Sequence, residues 1–212
     1  MKWHEVLPNI HISPTSGPAF EQKEFCYVMK ADTRIAGPWS SNVEEKKQTR
    51  RLREFLQYKM YPWQEKVIAM AKEYDDRTIK VFVDTITRRG KSCLTEYMEY
   101  FDIAYELPCF MNMEDIMQAC MCIPEQKAYI IDMPKGLKKN NLASFYAGLE
   151  CLKNGVMYDK RYSFKKRRID CPQIFVFTNT RPDVTLLSKD RWKGFKITED
   201  YDLEEIDLSL AP

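Results

Sequence analysis

Residues 79–95 read Ile-Lys-Val-Phe-Val-Asp-Thr-Ile-Thr-Arg-Arg-Gly-Lys-Ser-Cys-Leu-Thr. Ile79, Val81, Phe82 and Val83 make an apolar run of strand length. Leu94, Tyr97, Met98 and Phe101 then recur at helical spacing. The loop between them ends in Gly90-Lys91-Ser92. Strand, loop, Gly-Lys-Ser and helix is the layout of a phosphate-binding loop. That chemistry uses Gly90 where backbone N–H groups turn towards a phosphate, Lys91 to reach the β- and γ-phosphates, and the Ser92 hydroxyl to hold Mg²⁺. The N-terminus of the following helix adds partial positive charge. The template G-x-x-x-x-G-K-[ST] asks for Gly at position 85, where this chain has Thr85, and no Gly lies between Ile79 and Arg89.

A chain of 212 residues with 44% hydrophobic content is long enough for a real core and predicts one or two domains. The net charge of +2 puts any nucleic-acid affinity in a local patch, not in the overall charge. Seven cysteines without C-x-x-C spacing, and two histidines far apart (His4 and His11), speak against a zinc site and fit reduced thiols. The N-terminal Met-Lys-Trp-His-Glu does not read as a signal peptide, and no apolar run approaches the ~18 residues of a membrane span. A soluble, intracellular protein with no membrane partner is expected.

Residues 1–43 are rich in Pro, Gly, Ser and Thr and read as an irregular arm. Residues 44–75 predict two short helices, Glu44 to Tyr58 and Gln64 to Tyr74, separated by Tyr61-Pro62-Trp63. Residues 76–198 alternate strand and helix. Strands are expected at 79–83, 128–132, 174–178 and 194–197, and helices at 91–101, 113–121 (capped by Asn112) and 142–152 (ended by Gly155). Residues 156–169 read as a hairpin. Such alternation predicts an α/β fold with a mostly parallel core sheet. Residues 199–212 read as an acidic, peripheral tail.

Several side chains could carry chemistry. Asp132 ends a buried strand, at the edge where open α/β sheets bind ligands; there it would hold Mg²⁺ through water. Met133 follows it, so the second acid usual at this position is missing. Asn179 ends the next apolar strand and could orient an attacking water. Arg191 follows that strand and could serve a neighbouring subunit as an arginine finger. Lys160-Arg-Tyr-Ser-Phe-Lys-Lys-Arg-Arg168 holds six basic residues in nine: Lys160, Arg161, Lys165, Lys166, Arg167 and Arg168. Tyr162 and Phe164 lie among them. Charges that neutralise phosphates beside aromatics that stack on bases suit single-stranded DNA. Tyr27, with Lys30 three residues on, could attack a DNA phosphodiester, but no H-x-H or H-x-Q accompanies it to hold a metal.

In this order the pieces resemble the replication initiator (Rep) proteins of circular single-stranded DNA viruses and related plasmids. The resemblance runs from about residue 5 to about residue 198. It is carried by Phe25-Cys-Tyr-Val-Met-Lys30, Asp32-Thr-Arg-Ile-Ala-Gly-Pro-Trp39, Pro62-Trp-Gln64, Ala128-Tyr-Ile-Ile-Asp-Met-Pro134, Arg161-Tyr-Ser-Phe164, Asp170-Cys-Pro-Gln-Ile174, Phe177-Thr-Asn179 and Ser188-Lys-Asp-Arg-Trp192. Members of that family join an HUH nickase to a superfamily 3 helicase of the AAA+ kind. The resemblance implies that Gly90, Lys91 and Ser92 form Walker A, Asp132 Walker B and Asn179 the motif C sensor. It also implies that residues 160–168 grip DNA in a central pore, that Arg191 is the finger and that Tyr27 is the nicking tyrosine.

Two departures stand out. The first two nickase motifs are missing, as in a Rep that lacks most of its endonuclease domain. The family's loop carries a Gly-Asn pair where this chain has Thr87-Arg88, so Thr87 is expected to carry strain or the loop to change shape. The expected organisation is an endonuclease remnant and linker (1–43), a helical oligomerisation collar (44–75), an AAA+ type ATPase domain (76–198) and the tail (199–212). The expected function is an ATP- and Mg²⁺-dependent DNA helicase working as a homo-oligomer, a hexamer, on single-stranded DNA. It would act in the host nucleus for a eukaryotic virus and in the cytoplasm otherwise. The alternatives are a remnant that binds DNA or oligomerises without turnover, and a nickase using Tyr27 completed by another chain.

Overall fold

Strand β1 (Ile79–Val83) is buried along its whole length, as an apolar run must be when a sheet is covered on both faces. The computed structural model describes residues 46–109, 112–133, 142–161 and 164–209. The chain divides into two units, 1–46 and 47–212, and the described residues from 47 onward form the second. In chain order its elements are α1 (Arg50–Phe55), α2 (Pro62–Met70), β1, α3 (Lys91–Tyr100), β2 (Tyr105–Glu106), α4 (Met113–Cys122), β3 (Ala128–Met133), α5 (Leu142–Lys153), β4 (Val156–Asp159), β5 (Lys165–Arg168), β6 (Gln173–Thr178), β7 (Trp192–Ile197) and β8 (Leu203–Ile206).

The main sheet runs β2-β3-β6-β1-β7-β8, and β4 and β5 form a separate hairpin. Strands β2, β3, β6, β1 and β7 are mutually parallel, and only the edge strand β8 is antiparallel. This is an α/β fold with a mostly parallel core, compatible with a phosphate-loop NTPase. The register sets Val83 beside Thr178 and Asp132 beside Phe177. The C-terminal ends of β1, β3 and β6 therefore emerge on one edge.

Alternation along the strands divides the core into two layers. Ile79, Val81, Ile131, Ile174 and Val176 face α4 and α5, meeting Ile116, Phe145, Leu149 and Leu152. Phe82, Ile130, Phe175, Phe177 and Phe195 face α2 and α3, meeting Trp63, Val67, Leu94 and Met98. Phe82 stacks on Phe195 and leans on Phe177, at 5.3 Å between ring centres in both cases.

Both flanking segments are more integrated than their sequences suggest. Among the described residues, helix α1 is shorter than the expected 44–58: Thr49 caps its start, accepting from the Leu52 N–H, and Leu52 is its buried residue. Helix α2 starts at Pro62, whose missing N–H costs nothing there. Trp63 and Val67 are fully buried against the sheet, so α2 is part of this core layer. The expected peripheral tail is also corrected. It returns as β8, and Leu208 is buried. It passes so close to Gly194 that a Cβ there would lie 2.5 Å from Leu208 Cγ.

The N-terminal edge of the sheet holds a buried polar knot. Lys153 is fully buried and donates to the backbone carbonyls of Asp75 and Pro172. Lys80, nearly as buried, donates to Gln173 and lies 3.5 Å from Asp75 Oδ2. Burial pushes the Lys153 ammonium down to about 8 from an ordinary 10.5, with the nearby Asp75 carboxylate acting in the other direction. The unfolded chain then holds this proton over a range where the folded chain has released it, so the Lys153 contribution to stability rises with pH between about 8 and 10.5. Thermal melts of the wild type and Lys153→Met from about pH 7 upward should show the wild type gaining on the variant through that window. A constant difference would mean that the buried amine keeps its charge.

Candidate functional site

The loop after β1 is held in a conformation that its residues resist. Thr87 has φ +70°, Arg88 +57° and Gly90 +84°. Left-handed backbone suits Gly90, but it costs an L-residue ~1–2 kcal/mol, and a β-branched threonine is a genuine outlier there. The strain expected at Thr87 is thus present, and Arg88 shares it. Three side chains hold the loop. Asp84 Oδ1 accepts from the Thr87 N–H at 2.8 Å. Arg89 donates to the Glu199 carbonyl at 2.9 Å and lies 4.1 Å over the Tyr201 ring. The buried Gln64 side chain reaches the Gly90 carbonyl at 3.4 Å, and its Nε2 would be 2.9 Å from a Cβ at residue 90. Thus α2 and the β7–β8 turn both brace the loop.

Gly90 ends the loop, and α3 begins at Lys91, whose side chain folds back over the sheet edge. Its Nζ lies 2.9 Å from Asp84 Oδ2 and 2.6 Å from Asn179 Oδ1. Asp84 is fully buried, and Lys91 is 9% exposed. The pairing of β1 with β6 makes this meeting inevitable. Val83 stands beside Thr178, and the Asp84 N–H donates to the Thr178 carbonyl, so Asp84 and Asn179 leave the sheet side by side.

Asp132 lies one strand further out, half-buried near the end of β3. Alternation puts it on the α3 side, with Ile130 and Phe177. Burial pushes its carboxyl above the usual carboxylate range, and the Lys91 charge opposes that shift. Ser92 is exposed in the first turn of α3. A hydroxyl and a carboxylate are hard oxygen donors of the kind Mg²⁺ takes, keeping waters and phosphate oxygens for its other positions. Among the described residues no group of three or more His, Cys, Asp or Glu could hold a metal on its own. Burial raises the Cys109 thiol to about 11 and the Cys120 thiol to about 12, which leaves both protonated and unreactive.

The basic segment forms a hairpin, as expected, with Tyr158 opposite Lys166 and Met157 opposite Arg167. Its charges are not equally available. Lys160 pairs with Glu114, and Arg161 makes a two-toothed pair with Asp159 at 3.1 and 2.9 Å. Arg167 turns inward and donates to the Ile123 carbonyl at 2.8 Å, just past the end of α4. Lys165, Lys166 and Arg168 are exposed, as is Phe164, whose ring stacks with Tyr158 at 6.2 Å. Tyr162 lies outside the described residues, as do Tyr27 and Lys30.

Arg191 stands apart from Lys91. It immediately precedes β7, and Trp192 pairs with Ile79, so it sits at the N-terminal edge of the sheet. It is 5% exposed, 3.1 Å from Glu150 and 3.0 Å from Asn154 Oδ1. Reaching a neighbour's phosphate would require it to leave both partners. The residue that sequence reasoning missed is Asp84. Its signal was the one that singled out Asp132, an acid closing a buried strand.

No protein-family model matches the chain. It is similar to Para-Rep C10 of Milk vetch dwarf C10 alphasatellite, 26% identical over 230 residues that cover 91% of this chain and 79% of the relative. It is likewise similar to Para-Rep C7 of Faba bean necrotic yellows C7 alphasatellite, at 25% identity with the same coverage. Para-Rep C6 of Subterranean clover stunt C6 alphasatellite is 26% identical over 210 residues, covering 81% and 72%.

Glycine adopts the Thr87 conformation without a steric cost, at a smaller entropic penalty in the unfolded chain. Thr87→Gly should stabilise the protein by about 1 kcal/mol, which raises the melting temperature by about 2–4 °C at this size. Calorimetry checks it; an unchanged or lower melting temperature would mean that the backbone there is not strained.

Proposed function

We propose, from the premise that this chain is a relative of the Rep proteins of circular single-stranded DNA viruses, that it is the ATP-dependent motor part of a rolling-circle replication initiator. The observation that carries the proposal is the convergence of Lys91 and Asn179 at one sheet edge, beside a strained loop and a helix N-terminus, with Asp132 one strand away. An inserted strand, β6, separates the phosphate-loop strand from the acidic strand and presents its amide between them. That arrangement supports the AAA+ type.

In this reading the α3 N-terminus and the loop N–H groups bind the β- and γ-phosphates of ATP. Lys91 would neutralise charge as it develops on the transferring phosphoryl group, and Ser92 and Asp132 would hold Mg²⁺, which would supply further positive charge to the phosphates. The Asn179 amide, now engaged with Lys91, would turn to orient the attacking water. Lys165, Lys166, Arg168 and Phe164 supply the grip on single-stranded DNA. A ring of copies, a hexamer, would let Arg191 of one copy serve the next. A second reading, a remnant without turnover, is favoured by the same loop: Thr87 and Arg88 resist its shape, and Lys91 is already paired.

ATP hydrolysis measured with and without single-stranded DNA, on the wild type and Lys91→Ala, tests the motor. Expected are DNA-stimulated turnover in the wild type and a loss of at least ~100-fold in the variant, the scale of removing a principal transition-state charge. Absence of turnover in both, with DNA binding retained, would favour the remnant.

The hairpin is tested separately. Combining Lys165→Glu, Lys166→Glu and Arg168→Glu should weaken single-strand binding. The slope of log affinity against log salt should flatten by about 0.7 for each phosphate that the hairpin no longer neutralises. An unchanged salt slope would place the DNA grip elsewhere.

A further inference from the structure

Asp84 is fully buried, yet its carboxylate holds two donors at once. Oδ2 takes the Lys91 ammonium at 2.9 Å, and Oδ1 takes the Thr87 N–H at 2.8 Å. These are an ammonium and a loop N–H, the two kinds of donor that a phosphate-binding loop offers its ligand. A buried carboxylate on such donors is an internal stand-in for a phosphate. A phosphate brought to Lys91 would sit close to the Asp84 carboxylate, and the repulsion between the two anions sets them in competition for it.

We propose that Asp84 sets the affinity of this site, as a built-in carboxylate that competes with the β- and γ-phosphates of a nucleoside di- or triphosphate for Lys91 and the Thr87 N–H. The proposal rests on the nucleotide reading above. Binding is then an exchange, carboxylate out and phosphate in, and the protein bears the cost of displacing a buried ion pair. The same carboxylate explains how a loop without glycines at 85, 87 and 88 keeps its shape. A side-chain acceptor that caps an N–H three residues on is how aspartate organises a turn, and here it pins the left-handed Thr87. Asp84 is thus a positioning residue that gives the loop order and reduces its appetite for phosphate.

The test is titration calorimetry with ATP, ADP and adenosine, in excess chelator so that no metal contributes, on the full chain and on Asp84→Asn and Lys91→Ala. Asparagine keeps the Oδ1 acceptor for the Thr87 N–H and removes the charge. Asp84→Asn should bind ATP and ADP at least about tenfold tighter than the wild type, a change of about 1.4 kcal/mol, with no gain for adenosine. ATP binding that appears only in Asp84→Asn supports the proposal in the same way. Equal or weaker ATP binding in Asp84→Asn, with ATP bound by the wild type and not by Lys91→Ala, overturns the proposal and leaves the nucleotide reading standing. A gain that extends to adenosine also overturns it, because loop shape and not charge would then be the cause. If neither protein binds ATP, the nucleotide reading fails and the proposal with it. Should Asp84→Asn not fold, Asp84→Ser, whose hydroxyl can still accept from Thr87, carries the same expectations.

Discussion

A parallel sheet has two unlike edges, and the in-register pairing of β1 with β6 and β7 fixes which residues meet on each. All five parallel strands point one way, so their C-terminal ends gather on one side, with the N-terminus of α3 beside them. Pairing Val83 with Thr178 brings Asp84 and Asn179 together, and the turn into α3 brings Lys91 over both. A one-residue slip of β6 would exchange its two faces, sending Phe175 and Phe177 into the α4–α5 layer and moving Asn179 off Asp84. The site is therefore a consequence of strand register, and the register is held by a core that buries both faces of the sheet.

The two edges solve opposite electrostatic problems. At the C-terminal edge one buried cation faces a buried carboxylate, an amide and a half-buried carboxylate. At the N-terminal edge two lysines are buried around Asp75 and Gln173, with backbone carbonyls completing their shells. Arg191, with Glu150 and Asn154, belongs to that lower edge. Its partners are its own chain's, which makes it a structural ion pair in this chain and leaves a finger's role to a rearranged assembly.

Much of this was legible in the sequence, because the signals were local. The mostly apolar runs at 79–83, 128–132 and 174–178 marked central strands, Asn112 and Gly155 marked helix ends, and 156–169 marked a hairpin. Gly-Lys-Ser gave the loop, and two polar residues closing strands gave Asp132 and Asn179. What was hidden depended on distant partners. Nothing local said that Trp63 would fill the space beside Phe177, which ties α2 into the core. Nor did an acidic tail announce a strand that covers Gly194. The hairpin shows the same limit in charge. Counting bases gives six, but Glu114, Asp159 and the end of α4 engage Lys160, Arg161 and Arg167.

Asp84 was overlooked for a different reason. A glycine template scores the residues between strand and Gly90 by what they lack, so Thr85, Thr87 and Arg88 read as losses. A loop can reach left-handed conformations in two ways, by removing the Cβ that objects or by supplying a bond that outweighs the objection. This chain uses the second way, with Asp84 below the loop and Arg89 tied to Tyr201 beside it. The two ways are not equivalent for a ligand. Glycine leaves the N–H groups and the lysine open to an arriving anion, whereas a carboxylate gives shape by occupying them. Shape and availability, which glycine supplies together, are here set against each other.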